Sequence, residues 1–202
     1  MLNGTVFIVD DDAVVLRSLS AVLTAEDFEV KAFSSAESFL ASCDEQASGC
    51  IVLDVRMPGL DGLQAQEELA RRRITMPVIF LTGHGDVPMS VRAMKGGAFD
   101  FLQKPVAADT LIARVYSALR EDLLKQQKRA EMEAARERLG RLTTREDNVL
   151  VLLLQGKANK IVARELNISP RTVEIHRKNI LEKTETKSLV ELGQLYHLAD
   201  QA

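Results

Sequence analysis

The sequence contains no run of eighteen apolar residues, which excludes an ordinary membrane-spanning helix. No basic leader with an apolar core precedes its first strand-like stretch, TVFIVD (5–10), so a cytoplasmic protein with no membrane partner is expected. Cysteine is nearly lacking: Cys43 and Cys50 are the only two, and they form neither a CxxC pair nor part of a metal-ligand cluster. They read as reduced packing residues rather than a disulfide framework. The phosphate-cradling pattern GxxxxGK[ST] is absent, so a nucleotide-binding loop of that kind is not expected. No internal repeat or low-complexity tract is present. A strong excess of one charge is also missing, but the net −3 hides an asymmetry. Residues 1–120 carry 11 Lys+Arg against 16 Asp+Glu, whereas residues 141–202 carry 10 against 8. The C-terminal part is the better partner for a polyanion, although its field is weak.

With 202 residues, 46% of them hydrophobic and 27% charged, the chain can bury a core and is long enough for two domains. Over the first 120 residues short apolar runs alternate with amphipathic stretches. TVFIV (5–9) precedes 13–25, VKAF (30–33) precedes 36–42, and CIVLD (50–54) precedes 63–72. PVIFL (77–81) then precedes 86–96, and FDFL (99–102) precedes a stretch from 107 onward. This is the pattern of βα units around a mostly parallel five-stranded sheet, a doubly wound α/β domain. The runs 6–9, 51–53 and 78–81 are continuously apolar, as strands covered by helices on both faces require.

From about 110 to 139 nothing breaks a helix, and Gly140 is a plausible C′ residue beyond its end. Residues 121–140 are therefore expected to form a helical linker, either a solvated spacer or a dimerising coiled coil. Beyond it the pattern is all helical, predicting a four-helix domain over 141–202. Thr143 and Glu146 have capping-box spacing before VLVLLL, and a second helix is expected over 159–166. Asn167-Ile168 make a turn. Ser169 as N-cap with Pro170 at N1 then opens a third helix to about 183, and a fourth runs from about 188 to 198. Two short helices around a tight turn, the second studded with polar and basic residues, match a helix-turn-helix.

In an open parallel sheet, ligands bind beyond the carboxyl ends of the strands. Asp10, Asp11 and Asp12 follow the first strand, Asp54 ends the third, Thr82 follows the fourth and Lys104 lies just past the fifth. With strand order 2-1-3-4-5, Asp10, Asp11 and Asp54 share one crevice. Three carboxylates that close repel one another unless compensated, and Mg²⁺ is a hard cation held by one or two carboxylates together with phosphate oxygens. A lysine and a short hydroxyl suit the product of an Asp that attacks phosphorus. Taken singly, each residue has an ordinary role as a turn, cap or solvated group; the ordered conjunction is what points to phosphoryl chemistry.

The motifs IVDDD (8–12), VLDVRMPGLDG (52–62), FLTGHGD (80–86) and FLQKP (101–105) resemble the receiver domains of bacterial response regulators over about residues 1–120. The resemblance implies Asp54 as phosphoacceptor. It also implies Asp11, Asp54 and the backbone carbonyl of Arg56 as Mg²⁺ ligands, with Asp10 acting indirectly. Lys104 becomes the phosphoryl-contacting lysine, Thr82 and Phe101 the switch residues, and Lys104–Pro105 a cis bond. Asp12 receives no ligand role, and His84, Asp61 and Asp86 are expected to be loop or cap residues.

On the third C-terminal helix Arg171, Glu174, Ile175 and Lys178 fall at i, i+3, i+4 and i+7, one stripe, while Val173, Ile180 and His176 face the other helices. Lys160, Arg171, Thr172 and Arg177 are assigned mainly to DNA phosphates, and Glu174, Ile175 and Lys178 to base edges. His176 is expected to be packed and hydrogen-bonded. The segment 142–183 resembles the helix-turn-helix of the LuxR/FixJ output class, and with GHGDVPM (83–89) the whole looks most like the FixJ branch. Thr184, where that class usually has Leu or Met, and Asn148 depart from the pattern, the first expected to loosen local packing.

The combined reading is a phosphorylation-controlled transcriptional regulator. Its implied partners are a cognate sensor histidine kinase, double-stranded DNA, RNA polymerase and, once phosphorylated, a second copy through the 86–108 face. An aspartyl-nucleophile phosphatase is the alternative, but the acid/base Asp that such enzymes carry two residues on is here Arg56. A receiver-like interaction module that is never phosphorylated is a third reading, which the full set of Asp11, Asp54, Thr82 and Lys104 argues against.

Overall fold

A computed structural model of the chain describes residues 4–83 and 87–200, so His84 and Asp86 lie outside the described residues. The chain divides into two compact units, Met1–Lys125 and Gln126–Ala202. In the first, β1 (Thr5–Val9), β2 (Glu29–Phe33), β3 (Cys50–Leu53), β4 (Val78–Thr82) and β5 (Asp100–Gln103) form one parallel sheet. Its order is β2-β1-β3-β4-β5. Side chains alternate across a strand, so neighbours in a continuous apolar run enter different cores. Phe7, Val9, Ile51, Leu53 and Phe80 pack on one face beneath α2 (Ala36–Ser42), α3 (Gly62–Arg71) and α4 (Val87–Lys95). Val6, Ile8, Val52, Ile79 and Leu81 pack on the other beneath α1 (Ala13–Ala25) and α5 (Ala108–Gly140).

The local chemistry at the helix starts is legible. Asp12 is the N-cap of α1, accepting the Val14 amide at 2.7 Å. Asp61 closes a capping box with Gln64 at the start of α3. The Lys104–Pro105 bond is cis.

Helix α5 is 33 residues long and includes Gly140 as its last helical residue. The expectation that Gly140 is the C′ residue beyond its end is therefore corrected. The next residues remain tied to the last turn, with the Leu142 amide donating to Leu139 O, so no left-handed glycine is needed. Residues 123–131 of α5 are all exposed in the single chain.

The second unit contains α6 (Thr144–Leu154), α7 (Asn159–Glu165), α8 (Pro170–Lys183) and α9 (Leu189–Asp200). Val149, Leu150, Val162, Val173, Ile180 and Leu192 form its core. Thr143 and Glu146 make the predicted capping box, and Ser169 caps α8 with Pro170 in the first turn. Asn167 supplies the tight α7–α8 turn with φ +52°, a left-handed conformation that Asn tolerates better than most residues.

Candidate functional site

Strand register brings the carboxylates together. Val9 pairs with Leu53 across β1 and β3, so the residues that follow, Asp10 and Asp54, emerge side by side at the carboxyl edge. The Asp54 amide donates to Val9 O at 2.9 Å, and the Asp10 amide to Phe33 O at 3.1 Å, which fixes both backbones. Asp10, Asp11 and Asp54 each offer an oxygen within 4.8 Å of the others. Asp10 and Asp54 are buried, at 2% and 7% exposure, while Asp11 opens to solvent.

Lys104 reaches in from the end of β5. Its amide donates to Thr82 O at 2.9 Å, and its Nζ lies 2.5 Å from Asp10 Oδ2 and 3.6 Å from Asp54 Oδ1. Asp10 thus holds the lysine and also accepts the Asp12 amide at 3.0 Å. Burial pushes the Asp54 carboxyl above its ordinary range. Lys104 pulls against burial, Asp10 adds to it, and hydrogen bonds from Val55 and Thr82 oppose it. Asp54 Oδ1 is buried with no hydrogen-bond partner among the described residues. An orphaned carboxylate oxygen beside two further carboxylates is a donor set that suits a hard divalent cation, so the residues present fit Mg²⁺. Thr82 is buried at the end of β4, and Phe101 is half-buried on β5 with its ring 6.2 Å from that of Phe80. The Arg56 side chain is exposed.

In the second unit, Arg171, Glu174, Ile175 and Lys178 form one exposed stripe of α8, above the fully buried Val173 and Ile180. Ile175 is 53% exposed, an apolar side chain the core does not claim. Lys160 on α7 is exposed and Arg177 half-buried. Thr172 is engaged in the cap, its amide donating to Ser169 Oγ at 3.0 Å and its hydroxyl lying 2.7 Å from the same atom. His176 departs from expectation: it is half-buried, but its Nδ1 is buried with no partner among the described residues.

The family model for the response regulator receiver domain matches residues 6–116. That for the bacterial regulatory proteins of the luxR family matches residues 141–196. The transcriptional regulatory protein FixJ of Rhizobium meliloti is 44% identical over 198 residues, covering 96% of each chain. FixJ of Bradyrhizobium diazoefficiens is 41% identical over 193 residues, 96% of this chain and 94% of that one. The chain is a two-domain response regulator of the FixJ type. Among solved structures, the response regulator StyR superimposes with a TM-score of 0.87 at 40% identity, covering 96% of this chain and 98% of that one. Full-length FixJ from B. japonicum matches 98% of both chains at 40% identity and a TM-score of 0.60. The carboxylate crevice therefore belongs to a receiver domain and the α7–α8 pair to a DNA-binding helix-turn-helix.

Two residues that shape this response regulator, Gly62 and Asp122, were not found from sequence. Gly62 brings the start of α3 against the acceptor loop, where a Cβ would lie 2.2 Å from Asp54 O. Asp122, a buried carboxylate on α5, accepts the Gly49 amide at 2.9 Å and the Ser48 hydroxyl at 3.3 Å, so the receiver unit continues beyond residue 120. In the DNA-binding domain Glu146 Oε2 accepts from the Thr143 amide, the Thr143 hydroxyl and Lys183 Nζ at 2.9, 2.8 and 2.7 Å. Burial alone would raise the Glu146 carboxyl, but Lys183 and Thr143 outweigh it and bring the pKa down to about 2. Thr184 does not loosen the packing. It is fully buried, and its hydroxyl is satisfied by Ile180 O at 2.7 Å and Thr186 Oγ1 at 2.9 Å. The capping-box spacing was the one available signal for Glu146; nothing in the sequence pointed to Gly62 as a close approach or to Asp122 as buried.

Proposed function

We propose that Asp54 stores a phosphoryl group received from a cognate sensor histidine kinase and that this state governs DNA binding by the C-terminal domain. The observation that carries the reading is the buried Asp54 Oδ1, without a hydrogen-bond partner among the described residues, 3.6 Å from Lys104 Nζ and grouped with Asp10 and Asp11. Asp11, Asp54 and the Arg56 backbone carbonyl would hold Mg²⁺, with Asp10 acting indirectly. When bound, the cation supplies charge neutralisation for an Asp that attacks phosphorus. Lys104 divides its charge between Asp10 and Asp54 and pairs with a phosphoryl oxygen after transfer. Thr82 then turns its hydroxyl to the new oxygens, Phe101 follows inward, and the face formed by α4 and β5 changes.

The changed face pairs two copies or frees the DNA-binding domain, which recruits RNA polymerase from the bound site. Pairing has a physical motive, because a domain of net +2 gains from a second linked copy through effective concentration. In the bound state Lys160, Arg171, Thr172 and Arg177 meet phosphates, and Glu174, Ile175 and Lys178 meet base edges. The protein stores a phosphoryl group rather than turning over substrate, since Arg56 stands where an aspartyl phosphatase has its acid/base Asp, and it works in the cytoplasm. Intact-mass measurement after acetyl phosphate with Mg²⁺ tests the acceptor: wild type gains one phosphoryl group and Asp54→Asn gains none. Equal labelling of the two chains refutes the assignment.

A further inference from the structure

The last carbonyls of an α-helix have no partners within it and attract cations. At the C-terminus of α8 those groups are met from outside by Arg138, near the end of α5. Its Nε donates to Thr184 O at 2.6 Å, its Nη2 to the same oxygen and to Glu185 O at 2.9 Å. Thr184 is the C-cap of α8, and Glu185 follows with φ +55°, so the guanidinium grips the turn where the chain leaves the helix. The same stretch of α5 is packed into the DNA-binding unit. Ala135 is buried, Leu139 packs on the core, and Arg136 Nε donates to Ala199 O at 3.0 Å. That unit begins at Gln126, whereas the luxR family match begins at residue 141. Arg138 thus lies outside the segment that carries the family likeness yet holds one end of the helix with the exposed stripe.

We propose that Arg138 is a positioning residue for DNA reading: it fixes where the α8 stripe sits without touching DNA, and makes the end of α5 part of the reading domain. A displacement of that last turn reaches α8 through two backbone carbonyls, which side-chain substitution on α8 cannot replace. The forked guanidinium matters, because a lysine ammonium is a point charge with no such fork.

The proposal rests on α8 being the base-reading helix, and the experiment separates the two. Full-length chain is labelled with acetyl phosphate and Mg²⁺. Its binding is measured to a duplex selected in vitro by the wild-type protein and to a scrambled duplex of equal length and composition. Arg138→Met is expected to lose roughly tenfold in affinity for the selected duplex, the scale of a lost charge-assisted hydrogen bond, with an unchanged salt slope. Arg138→Lys should fall between. Arg141→Met, which removes only exposed ion pairs to Glu137 and Glu185, should match wild type. Full discrimination by Arg138→Met overturns the proposal. So does equal weakening on both duplexes with a salt slope reduced by about one, the signature of a direct phosphate contact. If Arg138→Met melts below the assay temperature, Arg138→Lys decides, and full discrimination there overturns it. Glu174→Ala tests α8 alone: unchanged discrimination sinks the α8 reading, whereas loss there with retention in Arg138→Met sinks the role of Arg138.

Discussion

Glu146 shows at the residue scale how a capping residue becomes a structural hub. One carboxylate oxygen receives three donors while the side chain is almost fully buried, so the charged form is favoured despite desolvation. With the folded pKa near 2 against an ordinary 4.5, the group stabilises the fold fully above about pH 4.5. That contribution fades as pH falls from about 4.5 through about 2, and amounts to at most about 3 kcal/mol. Urea unfolding of wild type and Glu146→Gln at pH 7 and pH 3 should give a stability gap that narrows at the lower pH. A gap that is constant or widens on acidification contradicts the assignment. Cys50 makes the opposite case, since burial, reinforced by the charge of Asp122, pushes its thiol up to about 12 and keeps it an inert packing residue.

Helix α5 does different work along its length at the element scale. Leu111, Val115 and Leu119 bury one stripe against the sheet, and Asp122 ties the helix to the loop before β3. Leu124, two residues on, is 57% exposed. Asp122→Ala strands a buried Gly49 amide and should cost about 1–3 kcal/mol. Leu124→Ala should stay within about 0.5 kcal/mol. Urea midpoints for the two variants check the contrast, and similar losses would mean that the receiver packing extends further along α5. Helices α3 and α4 are joined in a comparable way, with the buried Gln66 donating to Ala93 O at 3.2 Å and Arg92 pairing with Glu67 at 2.8 Å.

For the whole molecule, the two domains share out charge in a way that bears on DNA binding. The receiver segment 1–120 is acidic and the DNA-binding segment 141–202 only slightly basic. Lys160, Arg171 and Arg177 are the three cations per domain assigned to phosphates. Counterion release then gives a slope of log affinity against log salt near −5 if two copies bind and near −3 for one. Titrating labelled protein onto the selected duplex across salt concentrations measures it. A slope near −3 in the labelled state would overturn the paired-copy reading.

Sequence by itself determined the local decisions and the family. The short apolar runs alternating with amphipathic stretches pointed to five strands, Asp61, Thr143 and Ser169 announced the caps they form, and the meeting of Asp10, Asp11, Asp54, Thr82 and Lys104 at one edge was legible because strand ends converge in a parallel sheet. Only the tertiary structure decided what depends on groups far apart in the chain meeting at close range. Gly62 against the Asp54 carbonyl is a backbone approach that shows in no side-chain pattern. The Arg138 grip on Thr184 O spans 46 residues and ends on a carbonyl that every residue type carries. His176 and Thr184 were misread because burial is set by the packing of the whole helical domain: it leaves the His176 Nδ1 without a partner among the described residues, and it encloses Thr184, whose hydroxyl is satisfied locally by Ile180 O and Thr186 Oγ1.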